Sequence, residues 1–163
     1  MSNISQQRKA GTLVGVISDT HGLLRPQAID ALAASDLIVH AGDIGKLEVL
    51  EGLKAIAPVI AVRGNNDKAA WAAAIPQQES VRVEEISLQI IHIVKELNFD
   101  FEAGGVRVVI SGHSHKPMIE ERAGVLFVNP GSAGLGRFKL PISVAHLYID
   151  GTDVRAKIFE LAV

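Results

Sequence analysis

Apolar residues in the first half of the chain come in short runs, and polar turns separate them. The runs rich in β-branched residues predict buried strands at 12–19, 37–43 and 59–65. Apolar residues at helical spacing predict helices at 25–35 and 46–57, where Pro26 fits a first helical turn and Pro58 stops the second helix. This alternation of strands and helices predicts a parallel sheet with right-handed crossovers.

From about residue 79 the apolar pattern becomes typical of strands. Strands are expected within 79–94 and at 106–112, 117–124 and 125–131, with a short helix at 95–104. Residues 142–150 and 153–161, joined by Gly151 and Thr152, predict an antiparallel pair. The fold class is therefore α/β, with two mixed β-sheets packed as a sandwich flanked by helices. One domain over 12–163 is expected after a flexible N-terminal tail at 1–11.

The composition of the chain limits which metal ligands and which binding partners it can have. The chain has no cysteine, so any metal must be held by nitrogen and oxygen. Its net charge of −2 gives no electrostatic signal for nucleic acid or an anionic membrane. No apolar run reaches the roughly 18 residues of a membrane helix. The start of the chain lacks the apolar core of a signal peptide, so a cytoplasmic protein is expected.

Polar residues gather where the predicted strands end, in SDTHG, HAGD, RGNND, IIHI and GHSH. In open α/β sheets, ligands bind outside the carboxyl ends of the strands. Residues two apart in extended backbone project to the same side, which predicts that Asp19 pairs with His21 and His113 with His115. The candidate ligands are Asp19, His21, Asp43, Asn65, His92, His113 and His115.

Seven candidate ligands are too many for one ion but suit two divalent ions that share a carboxylate. Such sites stabilise both the attacking and the leaving oxygen in phosphoryl chemistry. Two ions, two aspartates and a bridging hydroxide leave a charge of about +1, which suits a phosphodiester anion. Imidazole and carboxylate ligands fit Mn²⁺, Fe²⁺, Ni²⁺ or Zn²⁺ without choosing among them.

The ordered motifs DTH, GD, GNND, a histidine, GHSH and NPGS resemble those of the calcineurin-like metallophosphoesterases, in particular the YfcE-type phosphodiesterases. The resemblance runs from about residue 12 to 160. It implies a four-layer αββα fold, two metal ions that are Mn²⁺ or a similar first-row ion, and a small phosphodiester substrate. It also implies ligand sets: Asp19, His21 and His115 for the first ion, Asn65, His92 and His113 for the second, and Asp43 bridging both. Relatives often pair, which makes a homo-oligomer an expectation by analogy.

The implied mechanism is attack on phosphorus by a hydroxide that bridges the ions, with Asp43, Asn65 and His113 as the catalytic residues. Two positions depart from many relatives. Asn66 replaces a histidine thought to protonate the leaving group, and an amide cannot serve as a general acid. Ile93, in place of glycine, follows His92, so His92 is either a ligand or a satisfied histidine on a half-buried strand.

The rival hypothesis is a protein-binding scaffold. The retromer subunit of this superfamily uses the same fold with little catalysis and a degraded metal site. Nearly every ligand type is retained in this chain, which favours an enzyme. A nuclease is disfavoured because no basic surface is indicated.

Several other polar residues have roles that the sequence alone does not fix. His40 is either bonded to a ligand carboxylate or a core histidine. Arg63 contacts phosphate, pairs with Asp67 or is solvated, and Asp67 is expected to brace its loop. Asn129 and Ser132 lie in NPGS, which is first interpreted as a turn after a strand. The alternative is that both residues orient ligands or substrate.

Overall fold

Ten strands form two five-stranded sheets in the computed structural model, which describes residues 11–97, 105–136 and 139–163. The first sheet has the order β10-β9-β1-β2-β3. Its strands are β1 (Thr12–Ile17), β2 (Leu37–His40), β3 (Val59–Ala61), β9 (Ser143–Asp150) and β10 (Asp153–Glu160). Strands β1, β2 and β3 run parallel, whereas β9 is antiparallel to both β1 and β10, as the hairpin at residues 151–152 predicted.

The second sheet has the order β4-β5-β6-β8-β7 and is also mixed. Its strands are β4 (Gln78–Val83), β5 (Ile86–Ile91), β6 (Val108–Ile110), β7 (Met118–Arg122) and β8 (Val125–Asn129). Strands β5, β6 and β8 are parallel, while β4 and β7 close the two edges as antiparallel hairpin partners. The predicted fold class, two mixed sheets packed as a sandwich, is confirmed.

Side chains that alternate in direction along the strands build the interface between the two sheets. Val14 and Val16 of β1 enter the same buried cluster as Leu126 and Val128 of β8. Side chains that alternate along a strand point to opposite faces, so a one-residue slip would exchange the two faces. Phe127 accordingly lies on the outer face of the second sheet, in a separate cluster.

Two helices cover the outer face of the first sheet. They are α1 (Pro26–Leu32) and α2 (Leu47–Lys54), and their buried residues Leu32 and Leu53 pack with Ile38 of β2. Pro26 stands in the first turn of α1, as expected. On the outer face of the second sheet the described residues provide a short 3₁₀ helix, Val94–Glu96.

Several element boundaries differ from the sequence predictions. Strand β2 ends at His40 rather than at residue 43, and β3 ends at Ala61 rather than at residue 65. A 3₁₀ helix at Ala70–Ala74 was not predicted. Most of the helix expected at 95–104, together with nearly all of the expected tail at 1–11, falls outside the described residues.

No helix in the described ranges combines the length and apolar character that crossing a bilayer requires.

Candidate metal centre

The polar residues predicted as ligands follow the carboxyl ends of strands from both sheets. Four candidates come from loops after strands of the first sheet, and three from loops after strands of the second. The first set is Asp19, His21, Asp43 and Asn65, and the second is His92, His113 and His115. The candidate centre therefore lies at one end of the sandwich, where loops from the first sheet meet loops from the second.

The first ligand group consists of Asp19, His21 and His115, whose ligand atoms all lie within 4.8 Å of one another. Nε2 of His115 is 3.3 Å from Oδ1 of Asp19, and Nε2 of His21 is 3.8 Å from the same oxygen. Asp19 is fully buried and His115 is nearly so. These three side chains form a compact pocket of nitrogen and oxygen donors.

A second ligand group forms around Asp43 and His92, with Asp19 again within reach. Nε2 of His92 lies 3.2 Å from Oδ2 of Asp43, without the alignment of a hydrogen bond. The ring centroid of His113 is 5.3 Å from that of His92. Asn65 lines a cavity beside His92. His113 and Asn65 are exposed, so this group opens to solvent.

Both aspartates stand between the two groups. Oδ1 of Asp19 is also 3.8 Å from Nε2 of His92, and Oδ2 of Asp43 is 3.7 Å from Nε2 of His21. The family resemblance implied that Asp43 alone bridges the groups. The distances place Asp19 between them as well.

The backbone at five of the seven candidates is left-handed, with φ between 47° and 73°. They are Asp19, His21, Asp43, His113 and His115. The prediction that extended backbone aligns Asp19 with His21, and His113 with His115, is therefore wrong. Tight turns instead direct Asp19, His21 and His115 to one group and His113 to the ring of His92. Each such residue costs on the order of 1–3 kcal/mol, and this kind of strain concentrates at functional sites.

Hydrogen bonds between neighbouring loops hold these turns. The N–H of Asp19 donates to Gly42 (2.9 Å), and the N–H of His21 donates to Asp43 (2.9 Å). The N–H of Gly112 donates to the carbonyl of His92 (3.0 Å). Each loop thus fixes the next across the end of its sheet.

The Asp19 carboxylate is oriented by donors from both sheets. Its Oδ2 accepts from the hydroxyl of Ser18 (2.7 Å) and from the N–H of His113 (3.1 Å). Oδ1 accepts no hydrogen bond within the described residues and faces the histidines. A Cβ added at Gly112 would stand 2.6 Å from Oδ2, so glycine is needed for this close approach.

Asn66 clamps the Asp43 carboxylate. Its backbone N–H donates to Oδ1 (2.9 Å) and its side-chain amide donates to Oδ2 (3.0 Å). Burial alone would raise the pKa of Asp43, but contact with His92 and the two Asn66 donors hold that pKa well below its usual range. The residue that cannot act as a general acid therefore fixes a candidate ligand instead.

His92 is held with one nitrogen directed at the centre. Its Nδ1 lies 2.7 Å from the carbonyl oxygen of Ala41, which can only accept, so Nδ1 carries the proton and Nε2 presents its lone pair when the ring is neutral. Burial alone would lower the pKa of His92, but the facing carboxylates of Asp43 and Asp19 raise it above the usual value. The ring lies inside the centre, as a ligand requires.

His40 supports the centre without touching a candidate ligand carboxylate. Its Nδ1 accepts from the N–H of Gly42 (3.1 Å), so the proton is on Nε2, which donates to the Thr20 hydroxyl (2.9 Å). That hydroxyl donates in turn to the carbonyl of Ile44 (2.8 Å). Burial, together with the nearby charge of His92, lowers the pKa of His40 to about 3. His40 is a core histidine that fixes the residue between Asp19 and His21.

Asp67 and Arg63 brace the loop that carries Asn65. The buried carboxylate of Asp67 accepts from the N–H groups of Ile44, Gly45 and Gly64 at 2.8–3.0 Å, which confirms the predicted bracing role. Arg63 donates to the carbonyl of Ile75 (2.7 Å).

Asn129 and Ser132 orient the ligand loops, a role that the NPGS motif signalled but did not establish. The amide of Asn129 donates to the carbonyl of Gly112 (2.9 Å), and the hydroxyl of Ser132 donates to the carbonyl of Asp19 (3.1 Å).

Metal ions fit this arrangement because buried donor atoms point at one another without hydrogen-bond partners. Oδ1 of Asp19, Nε2 of His21 and Nε2 of His92 make no hydrogen bond within the described residues. Buried polar atoms are normally satisfied, so three unsatisfied ones at one place need a binding partner. Their chemistry, carboxylate oxygen and imidazole nitrogen, suits first-row divalent ions.

Comparisons with known proteins identify the family of the chain. Residues 13–152 match the model of the calcineurin-like phosphoesterase superfamily domain. A probable metallophosphoesterase of Methanothermobacter thermautotrophicus is 36% identical over 160 residues, covering 91% of this chain and 92% of that protein.

Solved structures share the fold. A novel archaeal phosphodiesterase superposes with a TM-score of 0.75 and 26% identity, over 90% of this chain and 99% of its own. Vacuolar protein sorting 29 from Cryptosporidium parvum superposes with a TM-score of 0.74 and 22% identity, over 93% of this chain and 100% of its own.

Proposed function

The chain belongs to the calcineurin-like phosphoesterase superfamily, and on that premise we propose that it is a phosphodiesterase that uses two divalent metal ions. Mn²⁺ is the first candidate, and Ni²⁺, Fe²⁺ and Zn²⁺ share its ligand preferences. The archaeal protein of the same fold that is described as a phosphodiesterase supports a diester as the substrate.

The observation that carries this proposal is the convergence of unsatisfied buried donors. Asp19, His21 and His115 would hold one ion, and Asn65, His92 and His113 the other. Asp43 would serve both, since its Oδ2 lies within 3.7 Å of the nearest histidine nitrogen of each group.

When bound, the ions would activate a water molecule as the nucleophile and neutralise charge on the phosphoryl oxygens. The exposed His113 and Asn65 stand on the open side, where the phosphoryl group must enter. Asp43, with one Asn66 donor on each oxygen, is prevented from rotating during the reaction. The left-handed turns fix the remaining ligands in advance, which reduces reorganisation during the reaction.

The leaving group must obtain its proton from solvent. The amide of Asn66 is committed to Asp43 and has no proton to give. Loss of a general acid typically removes about 10²–10⁴-fold in rate. The proposal therefore includes a strong preference for esters with good leaving groups, such as p-nitrophenolate.

Hydrolysis of bis-p-nitrophenyl phosphate tests the proposal. Chelator-stripped protein should be inactive, and added Mn²⁺ should restore turnover. Asp43→Asn should lower kcat/KM by at least about 100-fold, because ligand loss exceeds the typical cost of losing a supporting contact. Asp153→Asn is the matched control, since Asp153 is exposed and pairs with Asp150 at the opposite end of the first sheet.

Absence of turnover with folded protein and each of Mn²⁺, Ni²⁺, Fe²⁺ and Zn²⁺ would contradict the proposal. It would favour the protein-binding scaffold instead. The fold shared with vacuolar protein sorting 29 is the observation behind that alternative. Exposed large apolar residues in the described ranges come from five separate segments, so they give it little further support. They are Ile29, Leu47, Ile119, Leu135 and Val163.

A further inference from the structure

Two cavities flank the candidate metal centre, and Ile93 lines both of them. One cavity, of about 330 Å³, is bordered by Asn65 and His92. The other, of about 410 Å³, is bordered by His113. A phosphodiester carries two ester groups on one phosphorus. A phosphoryl group at the centre would therefore extend one ester group into each cavity.

The first cavity, beside Asn65, is lined by one positive and one negative side chain. Arg63 and Glu96 line it with opposite charges, and Gln77 and Gln78 add neutral amides. The guanidinium of Arg63 already donates to the carbonyl of Ile75. This cavity therefore suits an uncharged polar ester group.

The second cavity, beside His113, is positive. Lys95 and Lys116 both line it, and no acidic residue of the described ranges does. Val94 and Met118 add apolar surface to the lining of the same cavity. Apolar surface lowers the local dielectric and strengthens the attraction of the lysines for an anion.

A hydroxyl in the same cavity is free to donate. Oγ of Ser114 accepts from the amide of Asn129 (3.1 Å) and from the N–H of Lys116 (3.2 Å). These two bonds use both lone pairs of the oxygen, so its own proton points elsewhere. Among the described residues it donates to no acceptor, and Ser114 lines the cavity. Ser114 thus adds a hydrogen-bond donor to the cavity that Lys95 and Lys116 line.

We propose that the cavity of Lys95, Ser114 and Lys116 binds a second negatively charged group, carried by one ester group of the diester. The inference rests on the proposed function, because it assumes that the scissile phosphoryl group binds at the metal centre. It predicts that the substrate is a diester with a carboxylate or phosphate beyond the scissile phosphate, rather than a simple neutral dialkyl ester.

Calorimetric titration of the metal-loaded protein tests the inference without turnover. The probes are propylphosphonate and 3-phosphonopropionate, which differ by a terminal carboxylate. Wild-type protein should bind 3-phosphonopropionate about tenfold more tightly, since one charge-assisted hydrogen bond is worth about that ratio. Equal affinity for the two probes would overturn the inference.

The double variant Lys95→Gln/Lys116→Gln should bind both probes equally and leave the affinity for propylphosphonate unchanged. The matched control Lys54→Gln/Lys157→Gln removes the same charge from α2 and β10 and should keep the preference. Ser114→Ala should reduce the preference partly. A preference that survives in Lys95→Gln/Lys116→Gln would overturn the inference, because the carboxylate would then be bound elsewhere.

Failure of the proposed function has a different signature. It would appear as absent hydrolysis of bis-p-nitrophenyl phosphate by the metal-loaded wild-type protein. The titration measures affinity alone, so its result stands apart from that assay.

Discussion

The two ligand groups of the candidate centre differ in how firmly the fold holds them. The closed group, Asp19, His21 and His115, is anchored in buried or half-buried loops, and Asp19 receives hydrogen bonds from both sheets. The open group, Asn65, His92 and His113, exposes two of its three members. On the proposed function, the closed group would hold its ion more firmly and the open group would meet the substrate.

Replacing Asp19 should break this comparison, because its Oδ1 belongs to both donor sets. Asp19→Ala should reduce the affinity for both ions by more than about 100-fold, beyond the usual loss for a supporting residue. His113→Ala should leave one tightly bound ion. Equilibrium dialysis with Mn²⁺ measures the stoichiometry. Two tightly bound ions in Asp19→Ala would refute the shared role of that carboxylate.

Replacing Asn66 should sharpen the comparison. Asn66 donates two hydrogen bonds to Asp43, and Oδ2 of Asp43 lies near a histidine of each group. Asn66→Ala should weaken Mn²⁺ binding by about 10–100-fold, the typical cost of losing an outer hydrogen bond to a ligand. Asn66→Asp, nearly the same size, should weaken it further because two carboxylates would face each other. Calorimetry measures both affinities, and unchanged binding in Asn66→Ala would exclude the clamp.

Gly42 tests how the open group keeps His92 in place. Its φ is 105°, and an added Cβ would stand 2.6 Å from Nδ1 of His92. Gly42→Ala should lower the free energy of unfolding by about 2–4 kcal/mol, through strain and overlap combined.

Gly124→Ala is the control for Gly42→Ala. Gly124 also has a left-handed φ (79°), but an added Cβ would meet no atom within 4 Å. It should lose only about 1–2 kcal/mol. Urea unfolding of chelator-treated protein measures both variants, and equal losses would show that the His92 ring moves freely.

His40 supplies the smallest effect near neutral pH, a dependence of the free energy of unfolding on pH. Its folded pKa of about 3 lies below the usual value of 6.5, so the unfolded chain binds more protons between these values. Stability from a neutral His40 is complete above pH 6.5 and falls, by at most about 1.4 kcal/mol per pH unit, as the pH decreases toward 3. His40→Gln should flatten this slope in urea titrations of metal-free protein, and an identical slope would contradict the assignment.

The fold was largely predictable because its signals are local. Short β-branched runs mark the parallel strands, and Pro26 marks the start of α1. The second helix, predicted at 46–57, ends earlier, at Lys54, so Pro58 does not set its end. The ends of β2 and β3 were placed too late, since the buried residues Ala41 and Val62 continue the apolar runs beyond the last strand residues. The 3₁₀ helix at Ala70–Ala74 was missed because a run of alanines carries no periodicity.

The identities of the candidate ligands were readable from motif spacing, but their geometry was not. Left-handed backbone at Asp19 and His113 depends on bonds between loops far apart in the chain. The second donor of Asn66 is a backbone N–H, which no side-chain pattern reveals. The extra role of Asp19 between the two groups likewise depends on which oxygen its donors occupy.

The division of the candidate ligands between the two sheets has a consequence for folding. The N–H of His113 meets Asp19 across 94 residues of sequence, so the centre exists only after the sheets have docked. An ion that binds there selects the native state over the unfolded chain. At 100 times its dissociation constant, such an ion adds about 2.7 kcal/mol to stability, and the melting temperature then depends on the free metal concentration. On the proposed function, the metal would act as a non-covalent cross-link between the two sheets of the sandwich.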